Sequence, residues 1–178
     1  MQLSIREAVL ADRPVLEALI ARSARGLSVN DYSPAQIEGA LRGAFGVDTQ
    51  LIEDGTYFVA EHEGTIVGCG GWSFRRTLFG GDARAERDAG LLDPRTDAAK
   101  IRAFFVDPAH ARQGIGRAIL EHCEQAAQAR GYTRFELMGT LPGVRLYREC
   151  GYVAAAQIEY DVGGGVRIPF VPMSKEVR

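Results

Sequence analysis

Residues 101–120 constrain the fold of this chain more than any other segment. They begin with an apolar run that ends at Val106 and predicts a buried strand. Gly114 and Gly116 then open a stretch with apolar residues four apart, which predicts a helix. The buried face of that helix is predicted to hold Ile115, Ile119, Cys123 and Ala127. A strand that leads through a turn into a helix is typical of a domain in which helices pack on a sheet.

The glycines at the start of this helix indicate an anion site. Backbone N–H groups at a helix N-terminus have no partner within the helix, and the helix dipole favours negative charge there. Glycine also lacks the Cβ that would block the approach of a phosphate. The candidate pyrophosphate cradle comprises Gln113, Gly114, Ile115, Gly116, Arg117 and Ala118. Glycines at a helix start can also serve only as a turn, so both interpretations stay open at this point.

Two better-known phosphate motifs do not fit this segment. A Walker A loop needs Gly-Lys-Ser/Thr after a four-residue gap, and the sequence contains none. A Rossmann fingerprint needs glycine directly after the strand and a small residue at position 119. Here a seven-residue turn follows Val106, and position 119 is isoleucine. A nucleotide-dependent oxidoreductase is therefore disfavoured.

The rest of the sequence predicts further strands and helices around one sheet. Strands are predicted at 2–8, 56–61, 65–73, 100–106, 132–138, 152–160 and 166–175. Helices are predicted after an N-cap at Asp12, from the capping box at Ser33, over 114–129 and over 142–150. Pro169 and Pro172 predict that the last strand lies at an edge or carries a bulge. Residues 74–98 are polar and glycine-containing, and they predict a long loop.

The composition limits the classes of function. A chain of 178 residues is long enough for one sizeable core, and the formal charge is 21 − 23 = −2. This balance gives no electrostatic footprint for nucleic acid or an anionic membrane. The N-terminus has no apolar signal segment, and no run of residues is apolar enough to span a membrane. The three cysteines form neither a disulfide framework nor a zinc pattern, which favours reduced thiols and a cytoplasmic location without a bound metal.

Three segments in this order resemble the GNAT superfamily of N-acetyltransferases. Residues 57–68 resemble the hairpin of its second and third strands, and residues 102–120 resemble its acyl-CoA motif. Residues 146–152, Leu-Tyr-Arg-Glu-Cys-Gly-Tyr, resemble its tyrosine-bearing helix and the strand that follows. The resemblance covers essentially the whole chain. It implies a single α/β (α+β) domain over residues 1–178, with a mixed sheet of about six to seven strands and about four helices.

The resemblance also implies a mechanism. Two parallel strands, ending at Val106 and near Gly139, would splay apart to admit the pantetheine arm of acetyl-CoA. The backbone of Phe104 and Val106 would pair with that arm, and residues 113–118 would hold the pyrophosphate. An amine would then attack the thioester directly, without a covalent enzyme intermediate. Tyr147 matches the position that donates a proton to the leaving thiolate, although its ring could instead simply pack at the helix edge.

Two positions depart from the family pattern. Ala111 stands where Gln or Arg commonly opens the pyrophosphate motif. Lys100 lies where some members place a general-base glutamate, and Arg102 beside it is also basic; neither is an obvious base at neutral pH. Glu136 and Asp97 are alternative carboxylates, each of which could equally be a surface charge. The sequence therefore leaves the base unassigned and keeps open a second hypothesis, that of an inactive acyl-CoA-binding sensor.

The acceptor is predicted only as a class, a small amine or a peptide. The loop before the acyl-CoA strand is rich in charge, and we hypothesise that it helps to select a polar or charged acceptor, although it could equally be a solvated mobile loop. Its charged residues are Arg75, Arg76, Asp82, Arg84, Glu86, Arg87, Asp88, Asp93 and Arg95. Trp72 could line an acceptor pocket or pack in the core. Many members of the superfamily are dimers, so a homodimer stays open here.

Overall fold

A computed structural model of the chain describes residues 1–84 and 88–178. This part contains eight strands and five α-helices around one mixed sheet. The strands are β1 (Ser4–Glu7), β2 (Tyr57–His62), β3 (Thr65–Ser73), β4 (Ala99–Val106), β5 (Arg134–Thr140), β6 (Val153–Ala154), β7 (Ile158–Gly163) and β8 (Val166–Glu176). The helices are α1 (Arg13–Leu27), α2 (Pro34–Leu41), α3 (Thr49–Glu53), α4 (Ile115–Ala129) and α5 (Val144–Glu149). The predicted α/β class is confirmed, with one strand and one helix more than expected.

The sheet has the order β1-β2-β3-β4-β5-β8-β6, and β7 also pairs with β8. Only β4 and β5 run parallel as neighbours, and they pair at just two positions, Ala99 with Phe135 and Lys100 with Glu136. Beyond Lys100 the two strands continue without pairing to each other, as far as Val106 and Thr140. The predicted splay between two parallel strands is therefore present.

Two hydrophobic cores lie on opposite faces of this sheet. One, packed under α1, α2 and α3, includes Leu16, Leu19 and Tyr57. The other, packed under α4 and α5, includes Ile119, Phe135 and Tyr147. The predicted buried face of α4 is confirmed, because its four apolar positions are at most 1% exposed. The sheet thus separates a helix pair on one face from three helices on the other.

The last strand differs from the prediction. β8 has ladder partners on both sides, β5 on one and β7 and β6 on the other, so the edge assignment is wrong. Its prolines are tolerated because each lies where one side has no ladder. Pro169 faces β7 before the pairing with β5 begins, and Pro172 faces β5 opposite the gap between β6 and β7. The predicted strand 152–160 is likewise two strands, β6 and β7.

Local signals at the helix starts are partly confirmed. Ser33 caps α2 as a capping box: its Oγ accepts from the Gln36 N–H at 3.1 Å, and Gln36 Oε1 accepts from the Ser33 N–H at 2.8 Å. Asp12 precedes α1 but does not cap it. Its carboxylate accepts from the Val9 N–H at 2.8 Å and pairs with Arg6. Over the described residues, none of the helices has the length and apolar character to cross a membrane.

Candidate active site at the splayed strands

A β-bulge lies in β4 three residues beyond its last pair with β5. Cys69 of β3 pairs with Phe105 and Gly71 pairs with Arg102, so two residues of β4 lie opposite Gly70. The first of them, Ala103, has φ of +55°, which is uncommon for a residue with a side chain. The hydroxyl of Tyr57 donates to the Ala103 carbonyl at 2.8 Å. This buried tyrosine therefore holds the bulge in place.

Phe104 is the second residue of the bulge, and its ring crosses over Gly70. A Cβ on Gly70 would lie 2.7 Å from the Phe104 ring, so only glycine fits beneath it. The Phe104 ring contacts the Tyr147 ring edge to face, with 6.3 Å between the centroids. The bulge thus brings a residue of β4 and the tyrosine of α5 together beside the splay.

Val106 presents its backbone toward the open side of β4. The Asp107 N–H bonds to the Val67 carbonyl of β3 at 2.9 Å, and backbone groups alternate in direction along a strand. The Val106 N–H accordingly points away from β3 and donates to Ser23 Oγ at 3.3 Å, a long bond. A ligand carbonyl placed here would replace the Ser23 hydroxyl as the acceptor of the Val106 N–H. Ser23 is not among the functional residues predicted from the sequence.

The candidate cradle lies at the start of α4, where two residues have the left-handed backbone conformation. Arg112 has φ of +61° and Gly114 has φ of +82°. The first backbone bond of the helix runs from the Ala118 N–H to the Gly114 carbonyl at 3.0 Å. The N–H groups of the preceding turn therefore lie outside the helical ladder. An added Cβ at Gly114 would contact nothing, so glycine is required there for its backbone angle alone.

Gly116 lies in a confined space, and its backbone angle is an ordinary one. A Cβ at this position would lie 2.9 Å from Leu146 of α5 and 3.9 Å from Val106 of β4. The start of α4 thus fits closely between the end of β4 and the helix that carries Tyr147. The turn assigned to the pyrophosphate of acetyl-CoA therefore lies next to the helix that carries Tyr147, the residue assigned to the thiol.

Positive charge surrounds the start of α4. Arg117 pairs with Glu149 at 3.6 Å, and Arg145 pairs with the same carboxylate at 2.9 Å. The Arg145 side chain, with Arg117 and Arg112 nearby, lowers the pKa of Glu149 below its usual value. Arg112, Gln113, Gly114 and Arg117 are all exposed. An incoming polyanion would meet several guanidinium groups balanced by one carboxylate, together with the helix N-terminus.

Tyr147 is buried against the same face of the sheet. Its side chain packs between Phe104 and Tyr152, whose ring centroid lies 5.9 Å away. Burial raises the pKa of the Tyr147 hydroxyl above its usual value near 10. The hydroxyl is therefore protonated at neutral pH, as a proton donor must be.

The basic residues that replaced the expected glutamate are both engaged elsewhere. Lys100 forms an ion pair with Glu136 where β4 and β5 still pair. Arg102 is buried and donates to Asp48 at 2.9 Å and to the Gly80 carbonyl at 2.8 Å. Asp97 accepts from the Asp93 N–H at 2.8 Å. Lys100, Arg102, Glu136 and Asp97, the residues considered at the base position or as bases, thus each have a bonding partner.

The charged loop divides into inward and outward residues. Arg75 and Arg84 line a pocket, whereas the Arg76 side chain is 61% exposed and pairs loosely with Asp88 at 3.8 Å. Asp82 accepts from Thr49, and Asp93 pairs with Arg95 at 2.9 Å. Glu86 and Arg87 lie outside the described residues. Trp72 is 2% exposed and packs on Phe74 and Tyr132, so it belongs to the core.

The described residues hold no group of three His, Cys, Asp or Glu side chains placed for a metal ion. Cys69 and Cys123 are buried and Cys150 is partly buried, and all three are free thiols. The candidate site is thus built from backbone N–H groups, guanidinium groups and one protonated tyrosine.

Comparison with known proteins identifies this arrangement. The family model described as the acetyltransferase (GNAT) family matches residues 28–152. A GCN5-related N-acetyltransferase from Rhodopseudomonas palustris superposes with a TM-score of 0.73 at 19% identity, covering 99% of this chain and 97% of that one. A search of curated proteins found no significant sequence match.

Two further structures of the same fold were solved with ligands. The PaiA N-acetyltransferase of Thermoplasma acidophilum, in complex with coenzyme A, gives a TM-score of 0.67 at 15% identity, with 99% of each chain covered. YncA of Salmonella typhimurium, with acetyl-CoA, gives 0.65 at 18% identity, covering 100% of this chain and 95% of that one. At these identities the likeness establishes the fold alone.

Proposed function

This chain belongs to the GNAT acetyltransferase family, and from that premise we propose that it transfers the acetyl group of acetyl-CoA to an amine. The proposed catalytic unit spans residues 1–178. The observation that carries the proposal is the adjacency of the α4 start, the unpaired end of β4 and Tyr147. The structures of two relatives with coenzyme A or acetyl-CoA support the choice of co-substrate.

The chain's own residues divide the work of binding. The turn and first residues of α4, 113–118, hold the pyrophosphate through backbone N–H groups, assisted by the guanidinium of Arg117. Ala111 stands where the family pattern commonly has a polar residue. This difference matters little for binding, because the cradle consists mainly of backbone N–H groups. Phe104 and Val106 orient the pantetheine arm along the open side of β4, in place of a β5 partner.

The reaction balances without a covalent enzyme intermediate. The acceptor nitrogen attacks the thioester carbon, so a C–N bond forms and the C–S bond breaks. The Tyr147 hydroxyl donates its proton to the departing sulfur, which leaves as the thiol of CoA. The proton lost by the acceptor amine passes to solvent, since the carboxylates considered as bases, Glu136 and Asp97, are bonded elsewhere, and solvent returns a proton to Tyr147.

Thermal unfolding with acetyl-CoA, NAD or ATP tests the binding half of this proposal. A ligand at about 100 times its Kd stabilises by about 2.7 kcal/mol. For a chain of this size that corresponds to a rise in Tm of roughly 5–11 °C. We expect the rise with acetyl-CoA and not with NAD. No rise at saturating acetyl-CoA would overturn the assignment of residues 113–118.

Release of the CoA thiol in the presence of a panel of amines tests the catalytic half. An amine-dependent release that is lost in Tyr147→Phe supports an enzyme. Binding of acetyl-CoA without turnover of any amine would instead favour the inactive sensor, the alternative that the missing glutamate suggests.

A further inference from the structure

A polar pocket of about 190 Å³ lies on the face of the sheet opposite Tyr147. It is bounded by the end of β3, by Arg102 in the middle of β4, by α3 and by the loop after β3. Six of the polar residues that line the pocket are Gln50, Ser73, Arg75, Thr77, Arg84 and Arg102. Its volume is below the roughly 300–1,000 Å³ of sites for drug-sized ligands. The pocket therefore suits a small polar molecule rather than a length of peptide chain.

Among the described residues that line this pocket, guanidinium groups outnumber carboxylates. Arg75 pairs with Asp54 at 2.7 Å, and Arg102 pairs with Asp48 at 2.9 Å. Among the described residues that line the pocket, Arg84 is the cation without a carboxylate partner. A partly buried guanidinium that lacks a counter-charge is a site for an anion.

Arg84 is held in place by contacts that leave most of its donors available. One Nη donates to the Phe79 carbonyl at 2.6 Å. The guanidinium lies 4.0 Å from the centre of the Phe79 ring and 5.5 Å from that of Tyr160. These contacts fix the plane of the guanidinium, so it can present a fork of two N–H groups to a carboxylate.

The pocket adjoins the splay between β4 and β5. Arg102 directly precedes Ala103, the residue at which β4 bulges away. The Phe79 ring packs on Phe170, which pairs with Thr140 at the end of β5. Arg84 and its pocket therefore flank the opening from the face that carries α2 and α3, whereas the proposed acyl-CoA site uses α4 and α5 on the other face.

We infer that this pocket receives the acceptor, and that the acceptor is a small amino acid-like molecule whose carboxylate binds to Arg84. The inference rests on the proposed function, because it assigns the acceptor side of the same reaction. The carboxylate held by Arg84 leaves the amine of such a molecule free to face the splay. Arg84 is thus a specificity-determining residue.

Matched sets of amines test this assignment on the 178-residue chain. The standard L-amino acids are compared with their amides and their decarboxylated amines, by CoA thiol release at saturating acetyl-CoA. We expect turnover of at least one free amino acid, with its amide and decarboxylated amine used poorly. Arg84→Gln should raise the KM for the acid by about 10- to 100-fold, the loss expected for hydrogen bonds to a charged group. The same substitution should leave the KM for the amide unchanged.

The control is Arg76→Ala, which removes an exposed guanidinium from the same loop and should alter neither KM. Arg84→Lys keeps the charge without the fork and should give an intermediate KM. Thermal midpoints of the variants without ligand identify any loss of folding. Equal use of acids and amides, or an unchanged KM in a folded Arg84→Gln protein, would overturn the inference while leaving the acetyltransferase proposal intact.

A binding measurement separates this inference from failure of the chemistry. N-acetyl amino acids, the expected products, are added with CoA, and thermal unfolding is followed for the original chain and Arg84→Gln. Stabilisation by an N-acetyl amino acid but not by its amide, lost in Arg84→Gln, supports the pocket even if no amine is turned over. Binding of CoA alone, with no response to any N-acetyl amino acid, overturns it.

Discussion

Arg102 donates to Asp48 across 2.9 Å, and the two side chains are only 1% and 3% exposed. The same guanidinium donates to the carbonyls of Thr77 and Gly80. One residue of β4 therefore fastens both α3 and the loop after β3 to the sheet. Arg102, two positions after Lys100 on β4, is thus part of the scaffold around the proposed acceptor pocket.

Breaking this pair should be costly. Arg102→Met leaves the Asp48 carboxylate buried without that guanidinium, so we expect the free energy of unfolding to fall by about 3–5 kcal/mol. Urea unfolding measures the change. Arg25→Met, which removes an exposed ion pair with Glu38 at 2.8 Å, should leave the midpoint nearly unchanged. A loss below about 1 kcal/mol for Arg102→Met would contradict a structural role for the pair.

Periodicity and glycine placement predicted much of this fold. The four-residue spacing from Ile115 to Ala127 predicted the buried face of α4, and the capping box at Ser33 predicted the start of α2. Helix α3 was missed because five residues, Thr49–Glu53, are too few to show a helical period. Pro169 led to the wrong prediction of an edge strand. A proline requires only that its strand lack ladder hydrogen bonds on one side at that residue, and an interior strand can also meet this condition.

The site was predictable only where its chemistry is local in sequence. Gly114 and Gly116 lie within one turn, so their place at a helix start could be inferred from the sequence. The pairing of Arg102 with Asp48 and the hydrogen bond of Tyr57 to Ala103 join residues about fifty positions apart. No pattern in a single sequence indicates such contacts. The roles proposed here for Ser23 and Arg84 could therefore be inferred only from the structure.

Left-handed glycines provide a matched test of the cradle. Gly114→Ala and Gly64→Ala both force a side chain onto positive φ, +82° and +76°, and neither new Cβ would contact another atom. Each should lose about 1–2 kcal/mol of stability from backbone strain. Only Gly114→Ala should weaken the binding of acetyl-CoA, by about tenfold in Kd, because relief of the backbone strain turns an N–H group away from the pyrophosphate. Calorimetric titration measures the Kd, and equal affinities in both variants would count against the cradle.

Tyr147 and Tyr152 form a second matched pair, because their rings touch and their hydroxyls differ in role. Tyr147→Phe should lower kcat by about 10²–10⁴ and leave the Kd for acetyl-CoA unchanged. Tyr152→Phe removes a hydrogen bond to Glu124 at 3.0 Å, so it should cost about 1–3 kcal/mol of stability and retain kcat. Steady-state kinetics with urea unfolding separates the two. Full activity in Tyr147→Phe would exclude the proton-donor role.

The pH dependence of kcat follows from the burial of Tyr147. Burial raises the pKa of its hydroxyl, so the protonated donor persists as pH rises and is lost only above the usual value near 10. We expect kcat to show no alkaline decline between pH 7 and about 10. The measurement is a kcat profile of the original chain and Tyr147→Phe. An alkaline limb near pH 8–9 that disappears in Tyr147→Phe would mean that the hydroxyl ionises far more readily than its surroundings imply.

The cysteines should be unreactive in the folded chain, as a mechanism without a covalent intermediate requires. Burial raises the pKa of Cys69 to about 12 and that of Cys123 well above its usual value. At pH 8 both are protonated, and the thiolate is the reactive form. Ellman's reagent should therefore leave Cys69 and Cys123 unmodified and react slowly, if at all, with the partly buried Cys150. All three should react in denaturant, and Cys150→Ser should abolish the native reaction. Rapid labelling of Cys69 in a fully active sample would show that β3 opens readily beside the bulge, contrary to the close packing on which the site depends.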